Sequence, residues 1–123
     1  MAIHVRSIGA VQILEPEGEF TFGRSHLGRA LDLRGRPMDD LREVLDAQFA
    51  GGCRRILLDL HRVDFIDSAG LSALVAAKKR AVERGGDIKI LRPSERVRSL
   101  LVLTYLTRVF DLHDDEAGAV ASF

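Results

Sequence analysis

The sequence predicts an α/β domain: a mixed, mostly parallel sheet of about four to five strands with an N-terminal antiparallel hairpin, packed by about four helices. Three observations carry this expectation. Ile56-Leu57-Leu58-Asp59-Leu60 is the short, nearly continuous apolar run of a strand buried on both faces. Amphipathic stretches alternate with β-prone ones from Pro37 onward. Gly51-Gly52 and Gly85-Gly86 stand where a helix must stop before the next strand begins.

At the N-terminus, Ile3, Val5 and Ile8 alternate with polar residues, and Val11, Ile13 and Leu14 follow Gly9-Ala10, the pattern of a hairpin. Pro16-Glu17-Gly18 reads as the turn that ends it, although Glu19-Phe20-Thr21-Phe22 is β-prone and can extend the sheet. Between Arg24 and Arg36, Arg24, Arg29, Arg34 and Arg36 surround isolated leucines, which suggests a long loop or a short irregular helix. Pro37 suits a first helical turn, Asp39 and Asp40 complement the helix dipole, and Leu41, Val44, Leu45 and Phe49 form an apolar stripe.

A second helix is expected from Ser68 to Arg84, with Leu71, Leu74, Val75 and Val82 inward. Ile88, Ile90 and Leu91 form the next strand. Pro93-Ser94 opens a third helix with Val97, Leu100, Leu101 and Tyr105 along its buried stripe. A last strand is expected at Val109-Phe110-Asp111-Leu112, then a short acid-led helix carrying Ala117, Val120 and Phe123. The chain is expected to be a single domain over 1–123, with an insertion or loop at 24–36.

Composition narrows the function classes. With 46% hydrophobic and 29% charged residues, the chain is neither disordered nor fibrous. Lysine plus arginine equals aspartate plus glutamate, 18 against 18, so no overall field draws it to nucleic acid or anionic lipid. The partner expected is therefore protein or small molecule, with no nucleic acid and no membrane insertion. Cys53 is the single cysteine, and the sequence shows neither a signal core nor an apolar run of spanning length, which makes the cytoplasm the expected compartment.

Enzyme chemistry and cofactors find little support. His4, His26, His61 and His113 are scattered without metal-ligand spacing. Gly23-Arg24-Ser25-His26-Leu27-Gly28-Arg29-Ala30 imitates a phosphate-binding loop, but Arg29 replaces the lysine and Ala30 lacks the hydroxyl that holds magnesium. Cys53 has Arg54 and Arg55 beside it but no base, and Ser68 has Ile66 where a nucleophile elbow needs glycine. No catalytic residue, cofactor or metal is expected.

One cluster stands out: Val63-Asp64-Phe65-Ile66-Asp67-Ser68-Ala69-Gly70-Leu71, after the central strand, where open α/β sheets dock ligands and partners. Asp67 or Ser68 can cap the helix that follows. Gly70 and Leu71 occupy the places where a reciprocal capping box needs Glu or Gln, which leaves the serine hydroxyl freer. The alternative role for Ser68 is to accept a phosphate. The helix N-terminus could hold the added charge, while Asp64 and Asp67 would repel it, and a protein packed over this surface would be expelled. Ala69 and Gly70 are small enough to let a partner's loop approach.

Ile56–Leu60, Phe65–Leu71, the long helix after it, Gly85-Gly86-Asp87 before a strand, and Arg108–Asp114 resemble the STAS domain of bacterial anti-sigma factor antagonists, over nearly all of Val11 to Phe123. Asp67-Ser68-Ala69-Gly70-Leu71 matches the family turn D-S-[AST]-G-[LIV] position by position. The resemblance implies a non-enzymatic, partner-switching module. Its unphosphorylated form binds an anti-sigma factor, itself a serine kinase of the histidine-kinase-like ATPase type, and so releases sigma. Phosphorylation of Ser68 breaks that complex and a phosphoserine phosphatase restores it. Asp64, Asp67, Ser68, Ala69, Gly70 and Leu71 would form the contact.

The sequence departs from the family at two places: Thr21 follows Gly18-Glu19-Phe20 where many members carry an acidic residue, and 24–36 looks inserted, either a solvated loop or an arginine-rich partner-selecting lobe. The rival expectation is a STAS scaffold or ligand-sensing module of a stress-signalling or lipid-transport complex, whose serine is never phosphorylated.

Overall fold

Alternating apolar residues near the N-terminus pair β1 (Ala2–Ile8) antiparallel to β2 (Val11–Phe20), with Ile8 opposite Val11 and Ile3 opposite Pro16. Gly9 turns the chain at φ 59°, a left-handed conformation that costs glycine little. The computed structural model describes residues 2–20, 23–24, 30–31 and 40–123.

Val11–Leu14 of β2 pairs parallel with β5 (Arg55–Asp59), and Gly18–Phe20 pairs parallel with β6 (Val63–Ile66). The strands β5 and β6 therefore lie end to end along one side of β2. The expected turn at Pro16 is corrected, because β2 runs straight through it. Pro16 falls in the gap between the two parallel ladders, so on that side its missing N–H leaves no bond unmade.

Beyond β5 the sheet continues through β7 (Asp87–Leu91) to the short β8 (Leu112–His113), both parallel, giving the order β1-β2-β5-β7-β8. This is the mixed, mostly parallel sheet with a hairpin at its edge that the sequence predicts. A separate two-residue pair, β3 (Gly23–Arg24) with β4 (Ala30–Leu31), is all that is described of the arginine-rich segment. The remainder of 24–36, together with Pro37, Asp39 and His26, lies outside the described residues.

The helices are α1 (Asp40–Ala50), α2 (Ser68–Glu83), α3 (Glu95–Leu103) and α4 (Glu116–Ala121). Alternation along the strands sends Leu14, Ile56, Leu58 and Ile90 to one face, where they meet Leu45 and Phe49 of α1, Leu74 of α2, and Val97 and Leu101 of α3. Val11, Ile13, Leu57 and Leu91 point the other way, onto Ala119 of α4. The Lys89 ammonium, donating to the Ser122 carbonyl at 2.8 Å, and an Arg6–Glu116 ion pair fasten that short helix.

Four details differ from expectation. Val82 is 55% exposed, because the α2 stripe centres on Leu74, Ala77 and Ala81, whose small alanines let the helix approach the sheet closely. Tyr105 is 69% exposed: α3 ends at Leu103, and Tyr105 at φ 60° turns the chain away from the stripe. The last strand begins at Leu112, since Leu106–Arg108 forms a 3-10 turn that buries Phe110 before the chain extends. In α4, Ala119 is fully buried in place of Ala117. A Cβ on Gly86 would collide with the Arg54 carbonyl, which accepts the Asp87 N–H at 2.8 Å, so this glycine permits the close crossing that admits β7.

Candidate functional site

The strand β6 ends in a buried Ile66, which pins the turn into the core, while Asp64 is exposed and Phe65 half-buried. Asp67 follows in extended conformation, φ −84° and ψ 176°, and its Oδ1 accepts the Gly70 N–H at 2.7 Å. Its carbonyl accepts the Leu71 N–H at 2.9 Å, the first helical bond of α2. Of the two capping candidates, Asp67 is the cap.

That division of labour leaves Ser68 as the first helical residue, exposed, with its hydroxyl in no hydrogen bond among the described residues. Asp64 and Ser68 reach the surface and Asp67 is half-buried, whereas Gly70 and Leu71 lie beneath it. Any part Gly70 and Leu71 take in a contact is therefore indirect, through the position they give the first turn. Ala69 lies between Ser68 and Gly70 in the same turn of α2.

Two interactions brace this turn. The Ser94 hydroxyl, which caps α3 by accepting the Val97 N–H at 3.3 Å, donates to the Val63 carbonyl at 3.0 Å and so ties α3 to β6. The Arg96 guanidinium sits over the Phe65 ring, 5.2 Å from its centroid.

Upstream, Asp59 at the end of β5 is fully buried. It accepts Arg92 Nη2 at 2.6 Å, the His61 N–H at 3.1 Å and His61 Nδ1 at 2.6 Å. Burial works against its charge, but the hydrogen bonds from Arg92 and His61 together outweigh it and hold the carboxyl below the usual carboxylate range. The carboxylate thereby shapes the turn between β5 and β6, where the Leu60 N–H reaches the Leu91 carbonyl at 3.0 Å. Sequence reasoning passed over Asp59, yet the signal was there: one acidic residue inside an otherwise apolar strand requires a partner.

The residues set aside in the sequence have ordinary roles here. His4 faces Glu17, His113 approaches Ser122, and the Cys53 thiol donates to the Arg55 carbonyl at 3.3 Å. Among the described residues no histidine, cysteine and carboxylate group is arranged to hold a metal ion, and no helix is long and apolar enough to cross a membrane.

Residues 2–119 match the sequence profile of the STAS domain. The chain belongs to the STAS domain family. A Thermotoga neapolitana relative, named as a TM1081 homologue among the anti-sigma factor antagonists, is 31% identical over 110 residues, 89% of this chain and 87% of its own length. The NMR structure of TM1081 superimposes on this STAS domain with a TM-score of 0.74 at 27% identity, over 95% of this chain and 84% of that one.

The anti-sigma factor antagonist SpoIIAA matches in its unphosphorylated form, with a TM-score of 0.68 at 22% identity over 97% of this chain and 93% of that one. Its Bacillus phosphorylated form matches with a TM-score of 0.67 at 17% identity over 98% of both chains. At these identities the SpoIIAA structures speak for the fold alone, and the STAS fold is common to both of its phosphorylation states.

Proposed function

We propose that this STAS domain is an anti-sigma factor antagonist whose binding is switched by phosphorylation of Ser68. The observation that carries the reading is the separation of roles at the α2 N-terminus. Because Asp67 satisfies the helix, the exposed Ser68 hydroxyl is available for modification without loss of the cap.

A phosphate there adds about −1.5 to −2 charges and acceptor oxygens beside the exposed Asp64. The helix dipole and water tolerate that charge, so the fold survives. A protein packed over the turn would have to strip water from a dianion next to carboxylates, and it dissociates.

The partner on this reading is an anti-sigma factor that is also a serine kinase of the histidine-kinase-like ATPase type, with a phosphoserine phosphatase reversing the mark. The contact centres on Asp64, Asp67 and Ser68, with Ala69, Gly70 and Leu71 shaping it. The whole of 1–123 is then one cytoplasmic, non-enzymatic STAS module with an insertion at 24–36, and the family match over 2–119 supports this extent. The named relatives support the choice of partner over the scaffold or lipid-transport alternative.

The test is incubation with ATP and each histidine-kinase-like ATPase encoded in the same genome, followed by peptide mapping. Label confined to Ser68 and absent from Ser68→Ala supports the reading. Undiminished label in Ser68→Ala, or none with any kinase, overturns it.

A further inference from the structure

We propose that Arg96, held over Phe65, is a second anchor of the partner surface, a preset cation that receives a carboxylate of the anti-sigma factor and helps select it. This inference rests on the reading of Ser68 given above and extends the same surface onto α3.

Three features of the molecule support it. Phe65 lies on β6 between the exposed Asp64 and the turn that presents Ser68, and the Arg96 guanidinium lies over its ring, 5.2 Å from the centroid. A guanidinium held over an aromatic face is attracted by the ring and still has N–H groups to offer a carboxylate. Arg96 is exposed, and among the described residues it has neither an ion pair nor a hydrogen bond, whereas Arg6, Arg62, Arg92 and Arg98 each engage a carboxylate of this chain.

The platform is also rigid. The bond from the Ser94 hydroxyl to the Val63 carbonyl locks the first turn of α3 to β6, so Arg96 and Ser68 are held by one framework. A side chain ordered before binding loses less freedom on association. Charge selects the occupant. The strand end presents the exposed Asp64, which calls for a basic group on the partner, and Arg96, held over the neighbouring Phe65, calls for an acidic one. A partner with basic and acidic groups in matching order binds, and one with the order reversed is repelled at both points.

The test uses the kinase that labels Ser68, with unphosphorylated protein and calorimetric titration. Arg96→Ala is expected to weaken binding about 10- to 30-fold, Arg96→Lys less, and Arg96→Glu more than Arg96→Ala. The salt dependence of Kd is expected to be shallower in Arg96→Ala than in the parent. Phosphorylation at saturating protein should be unchanged, with the loss confined to KM.

A Kd within twofold of the parent in both Arg96→Ala and Arg96→Glu, while Ser68→Asp still disrupts binding, overturns this inference and leaves the Ser68 reading standing. A loss of affinity matched by a fall in Tm, and restored by a charge-free Arg96→Gln, assigns Arg96 a merely structural part and overturns it too. If no kinase binds the unmodified protein at all, both readings fall.

Discussion

The Asp67 carboxylate accepts the Gly70 N–H at 2.7 Å, and that bond lets the adjacent Ser68 take no part in holding the helix it begins. On the proposed reading, stability and signalling fall to neighbouring residues. Asp67→Ala is expected to cost about 1 kcal/mol in denaturant unfolding, and Asp67→Asn, which keeps an acceptor, clearly less.

Ser68→Ala removes an exposed hydroxyl that has no hydrogen-bond partner among the described residues. Its unfolding free energy is expected within about 0.5 kcal/mol of the parent, with phosphate incorporation abolished. A large destabilisation would show that the hydroxyl holds the turn after all.

At Asp59 the expected pH dependence follows from the direction of its shift. The folded carboxyl titrates below its unfolded value, so its contribution is fully present above the ordinary carboxylate range, about 4, and is lost as pH falls through the lower folded value. Asp59→Asn should flatten that part of the acid limb of a stability–pH curve. Arg92→Met leaves the buried carboxylate with His61 alone. It is expected to cost about 2 kcal/mol, below the range for a fully enclosed pair, because the Arg92 side chain is 42% exposed and water partly replaces it.

The neighbouring glycines after α2 differ in what they demand. At Gly85, φ 77° makes alanine cost about 1–2 kcal/mol through backbone strain. At Gly86 a Cβ meets the Arg54 carbonyl, so alanine must push α2 from β5, and the loss in a thermal melt should exceed that of Gly85→Ala. The reverse order would mean that the strand crossing is loose.

Much of this was legible in the residues. Apolar density identified β5 and β7, glycine pairs marked the ends of α1 and α2, and acidic residues marked the starts of α2 and α4. Most of the misreadings share a cause: they depended on a neighbour distant in sequence. Pro16 reads as a turn until the gap between β5 and β6 is known to lie beside it. Val63–Ile66 is too short to show alternation, and only β2 makes it a strand. Val82 and Tyr105 fit their helical stripes by spacing, but the sheet and the end of α3 decide otherwise. At the site, Asp64, Asp67 and Ser68 were visible from residue type and order, whereas the assignment of the cap to Asp67 and the placement of Arg96 over Phe65 needed three-dimensional proximity.

The central claim is that phosphate on Ser68 dismisses the partner without unfolding the domain. Its most direct test is the affinity of the same anti-sigma factor for unmodified protein and for protein stoichiometrically phosphorylated at Ser68, measured side by side with a thermal melt of each. The expected result is binding weakened at least about 100-fold with little change in Tm. Equal affinity of the two forms would contradict the account.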